Sequence, residues 1–291
     1  MSDNSINLNS NNNSLHEFSQ IIKNFDKINI IEIEPATENI NEGIFEGDLN
    51  NVIVKLVELI FNKLNEGKCR KTIKQCVLNH INNKVIIQEI YNYLLNNQNN
   101  SNSIYLLGYF NYNGIETKLN KQRAIKLYQK AAKLQNIVAQ LDLTEIYIHV
   151  TESDDDLAFN LSKNLAKKEY AGGLNNLGWC YENGIGTDAY DQKAFDLYQK
   201  AADLGNINGI INFGWCYSEG IGTYVDKQKA FELYLMAANF ENDFAQYCIA
   251  KMYKDGDGIN VDIDQAIYWY KKSAEQGNQS AQDKLNELLE E

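Results

Sequence analysis

Three features of this 291-residue chain point to an all-α fold: a right-handed α-solenoid of stacked helical hairpins, closed at its N-terminal end by a three-helix cap. A pattern of 34 to 36 residues recurs five times, the apolar residues between its landmarks follow helical spacing, and the chain holds one proline, Pro35. Repetition at that period marks a solenoid, in which each unit buries its second apolar face only against a neighbour. Proline removes a backbone donor and breaks helix interiors, so its near absence suits a succession of uninterrupted helices. An apolar share of 44% is enough for a sizeable core.

The first 14 residues, MSDNSINLNSNNNS, contain almost nothing to bury. Leu15, Phe18, Ile21, Ile22 and Phe25 then take helical spacing, and Ile28 to Ile33 alternates like a short strand before Pro35. Residues 36–47 are polar and acidic, so 1–47 is expected to be a weakly ordered leader. Over 48–102 three apolar stripes predict a three-helix unit. They are Val52, Leu56, Leu59, Ile60 and Leu64, ending at Gly67; Ile73, Cys76, Val77, His80 and Ile81; and Val85, Ile86, Ile90, Tyr91, Leu94 and Leu95.

The repeat units fall at about 103–138, 139–170, 171–207, 208–244 and 245–280, with a cap helix over 281–291 whose Leu285, Leu288 and Leu289 face inward. One column reads Leu107-Gly108, Leu143-Thr144, Leu177-Gly178, Phe213-Gly214 and Ile249-Ala250. Small residues there let a neighbouring helix approach closely. A second column reads Ala131-Ala132, Ala166, Ala201-Ala202, Ala237-Ala238 and Ser273-Ala274. Ala124 and Tyr128, Ala194 and Tyr198, Ala230 and Tyr234, and Ala266 and Tyr270 stand four apart, on one helical face. Between the helices lie Gly184-Ile185-Gly186, Gly220-Ile221-Gly222 and Gly256-Asp257-Gly258, one Gly of each pair supplying a left-handed C-cap. Unit two has no Gly turn, is short by two residues and carries the acidic run Asp154–Asp156, which reads as a solvated loop or a helix start. A local irregularity is expected over 148–157.

These residues resemble Sel-one-like repeats, HCP-like cousins of the tetratricopeptide repeats. Unit three carries the pattern nearly whole, from Leu177-Gly178-Trp179-Cys180-Tyr181 through to Gly205-Asn206, and the resemblance covers about 103–291. Unit four departs at Phe240-Glu241-Asn242, unit five has Ala250 for Gly, and unit one places Asn111 at the Tyr position and Glu116 at the second turn Gly. The resemblance implies a non-catalytic adaptor, of the kind found in membrane-protein quality control, cell-wall synthase activation and signalling. Similar arrays in some fungal proteins follow a kinase-like domain. Residues 1–102 hold no Gly-rich phosphate loop, His-Arg-Asp or Asp-Phe-Gly, so the alternative is a regulatory fragment of such a kinase-like signalling protein.

By analogy with tetratricopeptide hairpins, the residue after the Leu-Gly column projects toward the concave face. Those residues are Tyr109, Glu145, Trp179, Trp215 and Lys251. Aromatic side chains are common interaction anchors, and Glu182 and Glu219 on the same helices would add an acidic rim suited to a basic peptide. The competing reading is that the aromatics pack on the preceding helix.

Other chemistries find little support. A net charge of −12 argues against nucleic acid, which demands a dense cationic face. No window is long and apolar enough for membrane insertion. The N-terminus lacks the basic and apolar regions of a secretory signal, so a cytoplasmic or nuclear location is expected. Five cysteines without a CxxC pair read as reduced core thiols, Cys180 and Cys216 at equivalent positions. Cys69, Cys76 and His80 could share a helical face but lack a fourth ligand. The run from Asp255 to Asp262 misses the calcium-loop ligands at Ile259 and Ala266. His16, His80 and His149 lie in unrelated segments and no Ser-x-x-Lys occurs, so no catalytic residue, metal or cofactor is expected.

Overall fold

The computed structural model describes residues 46–149 and 154–290, and among them all regular structure is helical. Three helices come first: α1 (Glu46–Asn65), α2 (Arg70–Ile81) and α3 (Lys84–Asn96). Five hairpins follow. They pair α4 (Ser101–Asn113) with α5 (Lys121–Lys133), α6 (Ile137–His149) with α7 (Asp155–Ala166), and α8 (Ala171–Asn183) with α9 (Asp191–Asp203). The last two pair α10 (Ile207–Glu219) with α11 (Lys227–Asn239) and α12 (Asp243–Asp255) with α13 (Ile263–Glu275), and α14 (Gln279–Glu290) packs on α13. Each second helix packs on the first helix of the next hairpin, which makes one continuous solenoid. First helices also pack on one another, α6 on α8 and α8 on α10, whereas no second helix packs comparably on the next. The first helices therefore line the inner face. The helical spacing at Leu15–Phe25 and the alternation at Ile28–Ile33 lie outside the described residues.

Within a hairpin the small residue of the inner helix faces the tyrosine of the outer one. A Cβ on Gly178 would meet the Tyr198 ring at 2.8 Å, closer than side chains pack, and Tyr198 is wholly buried. Gly108 stands so to Tyr128, and Gly214 to Tyr234. Unit two changes both partners at once: Thr144 replaces the Gly and Ser162 the Tyr, and both are buried. Their hydroxyls donate within their own helices, Thr144 Oγ1 to the Gln140 carbonyl (2.7 Å) and Ser162 Oγ to that of Ala158 (2.8 Å). A larger residue on one helix is thus offset by a smaller one opposite, which preserves packing density. The alanine column needs one correction: Leu165, not Ala166, takes the place of Ala201, because Gly173 abuts Leu165 as Gly209 abuts Ala201.

The missing two residues fall in the α6–α7 connection, where 14 positions separate Thr144 from Ala158 against 16 between Gly178 and Ala194. Residues 150–153 of the expected irregularity lie outside the described residues. Asp154 caps α7, its carboxylate accepting from the Leu157 amide at 3.0 Å, and Asp155 and Asp156 sit at the positive end of the helix. The acidic run is a helix start.

Of each turn pair, the first glycine (Gly184, Gly220, Gly256) closes the inner helix in the left-handed conformation. The second has another task. At Gly222, with φ +63°, an added Cβ would run into the Asp191 backbone at the start of the preceding outer helix, and Gly186 and Gly258 abut Asp155 and Lys227 in the same way. This glycine marks where consecutive hairpins touch. The asparagine ending every unit but the second, where Tyr170 stands, also has a physical role: Asn206 Oδ1 accepts from the Gly209 amide (2.7 Å), and Asn136, Asn242 and Asn278 cap α6, α12 and α14 likewise. Glu241 adopts φ +60°, the role that Gly205 and Gly277 fill in their units.

Four expected core positions face outward. His80, Val85 and Leu95 are exposed, because the buried stripes of α2 and α3 centre on Ile73, Val77 and Ile81 and on Ile86, Ile90 and Leu94. Leu289 is 65% exposed, one position round the helix from buried Leu285 and Leu288. Cys180 and Cys216 are buried, and burial pushes their thiols up to about 11 and about 12, whereas Cys69 is exposed.

Replacing Gly222 by Ala adds a backbone clash to the cost of a positive φ, whereas at Gly277 (φ +99°) a Cβ meets nothing within 4 Å. Urea unfolding should therefore show Gly277→Ala destabilising by about 1 kcal/mol and Gly222→Ala by roughly twice that or more.

Candidate functional site

The inner face of units two to five encloses a cleft of about 730 Å³. Its floor comes from one face each of α6, α8 and α10, with Glu145, Trp179 and Trp215 in register, and Phe244 of α12 lies at its far end. Its wall is the connection from α1 to α2. Helix α1 lies across α4, α6 and α8, and its end is tied to the starts of successive inner helices. Asn65 Oδ1 accepts from the Gly172 amide (3.1 Å), and the Asn65 carbonyl accepts from Asn206 Nδ2 (2.8 Å). The Glu66 carbonyl accepts from the Ile207 amide at 2.9 Å, and Lys68 Nζ donates to the Phe240 carbonyl at 3.3 Å.

Arg70, opening α2, turns back onto the inner face of unit two. Its guanidinium donates to Asp142 Oδ1 (2.6 Å) and Glu145 Oε2 (3.1 Å) and lies 4.8 Å from the centre of the Tyr112 ring. Tyr105 donates to the other Asp142 oxygen at 2.7 Å. Burial works against the charge on Arg70, yet Asp142 and then Glu145 outweigh it and hold the guanidinium well above its usual range. Burial also pushes the Glu145 carboxyl up to about 6 against the pull of Arg70. His149 packs edge-on to Trp179 at 5.8 Å, its pKa lowered by burial and then by Arg70.

The expected site residues divide accordingly. Glu145, Trp179, Glu182 and Trp215 line the one cleft. Trp215 is 43% exposed and Trp179 half-buried. Glu182 accepts from Tyr198 Oη at 2.6 Å and has no ion pair among the described residues. Tyr109 is a correction: it occupies the expected column but is 3% exposed within the N-terminal core cluster, so it offers no surface to a partner. Glu219 and Lys251 do not line the cleft; Glu219 faces Lys227 at 3.6 Å and Lys251 is exposed. Among the described residues no group of three His, Cys, Asp or Glu side chains gathers to hold a metal ion.

Sequence reasoning missed the asparagines. Asn175, Asn176, Asn183, Asn208, Asn212 and Asn242 all line the cleft, and Asn176 and Asn212 stand 36 apart, each three before its Trp. That spacing is visible in the sequence. The role of Arg70 is not, since it lies 72 residues from Asp142.

Replacing Arg70 by Gln leaves buried Asp142 without its cation and should cost about 3 kcal/mol of stability, read by urea unfolding. The Glu145 side-chain carbon should titrate by NMR near pH 6 in the native chain and higher in that variant, since Arg70 lowers this pKa. Because folding raises the Glu145 pKa, the folded state takes up the proton, and this group's stability contribution falls as pH rises from 4.5 to about 6.

Comparison with known proteins places this architecture. A family model described as Sel1 repeat matches residues 101–136, 171–206, 209–239 and 243–278, passing over unit two. A crystal structure of a Sel1 repeat protein from Oxalobacter formigenes is 26% identical with a TM-score of 0.57, over 80% of this chain and 86% of that one. A protective antigen of uropathogenic Escherichia coli strains, displaying an SLR fold, is similar in fold (23% identity, TM-score 0.56) over 85% of this chain and 52% of its own. No curated protein matches the sequence. The hairpins from α4 to α13, with their Gly–Tyr contacts, glycine turns and asparagine caps, identify the chain as a Sel1-repeat protein.

Proposed function

We propose that this chain is a non-catalytic protein–protein interaction scaffold whose concave cleft binds a segment of a partner carrying a basic side chain. Sel1 repeat proteins are generally interaction scaffolds. The carrying observation is Glu182, a carboxylate without a cation beside Trp179 and Trp215 in a cleft whose own cations are engaged. Arg70 is bonded to two acids and Lys68 to a carbonyl. An ammonium or guanidinium against the indole faces would be held by the ring electrons and by Glu182 together. The arrangement at Arg70, with acids on one side and the Tyr112 ring on the other, is a pattern within the same molecule for how such a group is held.

Affinity purification from lysate compares the native chain with the Trp179→Ala/Trp215→Ala double variant, circular dichroism showing both folded. The double variant should keep its helix content and lose specific partners, each truncation costing about 2 kcal/mol of binding. Recovery of the same partners by both proteins would make the tryptophans packing residues and move the interaction surface elsewhere.

A further inference from the structure

We infer that the cleft takes its partner as an extended strand, whose backbone is held by the side-chain amides of Asn176 and Asn212, beyond the position in the same column that the chain fills with its own Arg70. The inference rests on the cleft being the partner site and says what form the partner takes there.

The amides carry the first part. Asn212 Nδ2 donates to Asn175 Oδ1 (2.9 Å), and Asn175 Nδ2 donates to Asn176 Oδ1 (3.4 Å). Among the described residues this chain of three leaves the Asn176 amide nitrogen and the Asn212 oxygen without a hydrogen-bond partner, and Asn176 is 8% exposed. One repeat apart along the cleft there are thus an open donor and an open acceptor, and turning all three amides together only exchanges the two. Leaving such groups unmatched in a desolvated cleft is costly. An extended segment turns the N–H and C=O of every second residue to the same side, where they are open to match the pair. A helical partner has already spent those groups on itself and could reach the asparagines only with side chains.

The connection carries the second part. Between α1 and α2 the chain is extended at Cys69 (φ −68°, ψ 153°) and runs along the cleft wall. Just before it, the turn that closes α1 is held by its carbonyls, that of Asn65 by Asn206 Nδ2 and that of Glu66 by the Ile207 amide. The connection delivers Arg70 to Asp142 and Glu145, which stand in unit two where Asn176 and Trp179 stand in unit three and Asn212 and Trp215 in unit four. The unit-two position of this column is therefore filled by the chain's own Arg70 side chain. The positions in units three and four hold the open amides and the two indoles.

The test uses random 12-residue peptides displayed on phage, selected on the full chain, then synthesised with one backbone N-methyl group at a time. A strand on the asparagines should lose binding at least tenfold when particular amides are methylated and tolerate the change at their immediate neighbours. A helical ligand would lose binding at every internal position. The double variant Asn176→Leu/Asn212→Leu, near-isosteric and checked by circular dichroism, should weaken the selected peptide at least tenfold, while Arg123→Gln on the outer helix α5 leaves it unchanged. Peptides that bind as helices, or that ignore both asparagine changes, would overturn the extended clamp and leave the cleft as the partner site. Selection of no peptide dependent on Trp179 or Trp215 would overturn the cleft reading, and this inference with it. Because the methyl scan needs only the native protein, the outcome does not depend on the variant folding.

Discussion

The approach of each outer helix to its inner partner, fixed by a missing side chain at Gly108, Gly178 and Gly214 opposite a buried tyrosine, is the constraint on which the rest of the molecule depends. It sets how closely the two helices of a hairpin lie, and so the tilt at which the next hairpin is laid down. The second turn glycine then lets that hairpin close onto the start of the previous outer helix. Two contacts, one within a unit and one between units, repeat along the array and propagate a single curvature. Unit two obeys the same logic with different residues, since Thr144 and Ser162 together occupy the space that Gly and Tyr occupy elsewhere. A profile built on residue identity passes over that unit, although its helices stack with their neighbours on both sides.

Curvature alone would leave an open groove. The N-terminal helices turn it into a cleft with a wall, because α1 crosses three inner helices and its last residue and the one after it are hydrogen-bonded to the starts of α8 and α10. Arg70 is the electrostatic fastening of that wall. Two acids and a tyrosine ring surround it at the edge of a half-buried site, where removing one partner costs more than the pair contributes, since the other charge is left stranded. The same fastening separates the inner face chemically. Unit two is neutralised from within the chain, whereas units three and four present amides, indoles and the carboxylate of Glu182.

Much of the fold was legible in the sequence because repetition reports packing directly: a Gly recurring at 36 residues marks a close approach, and an Ala and a Tyr four apart mark one buried face. The errors arose where a pattern was read one position out. Ala166 fits the alanine column by type, but Leu165 fills the space; Leu289 looks like core by hydropathy but lies a further 100° round the helix from Leu288. The cleft was legible only in part. Trp179, Trp215, Glu145 and Glu182 follow from their offset to the Leu-Gly column, and Asn176 and Asn212 could have been found by the same offset. Tyr109 has the same offset and is buried, because nothing in unit one's own sequence announces what packs over it.

The sequence by itself therefore determined the helices, their pairing into hairpins and the residues each hairpin offers to its inner face, all of which depend on contacts within about 36 residues. Only the tertiary structure decided which of those residues remain open. Whether an inner-face position becomes core, ion-pair partner or cleft floor depends on where α1 and the α1–α2 connection come to rest, and those contacts join residues 72 to 172 positions apart. No local periodicity encodes such a meeting. It is settled by the summed burial, hydrogen bonding and charge of segments that meet once the solenoid has formed.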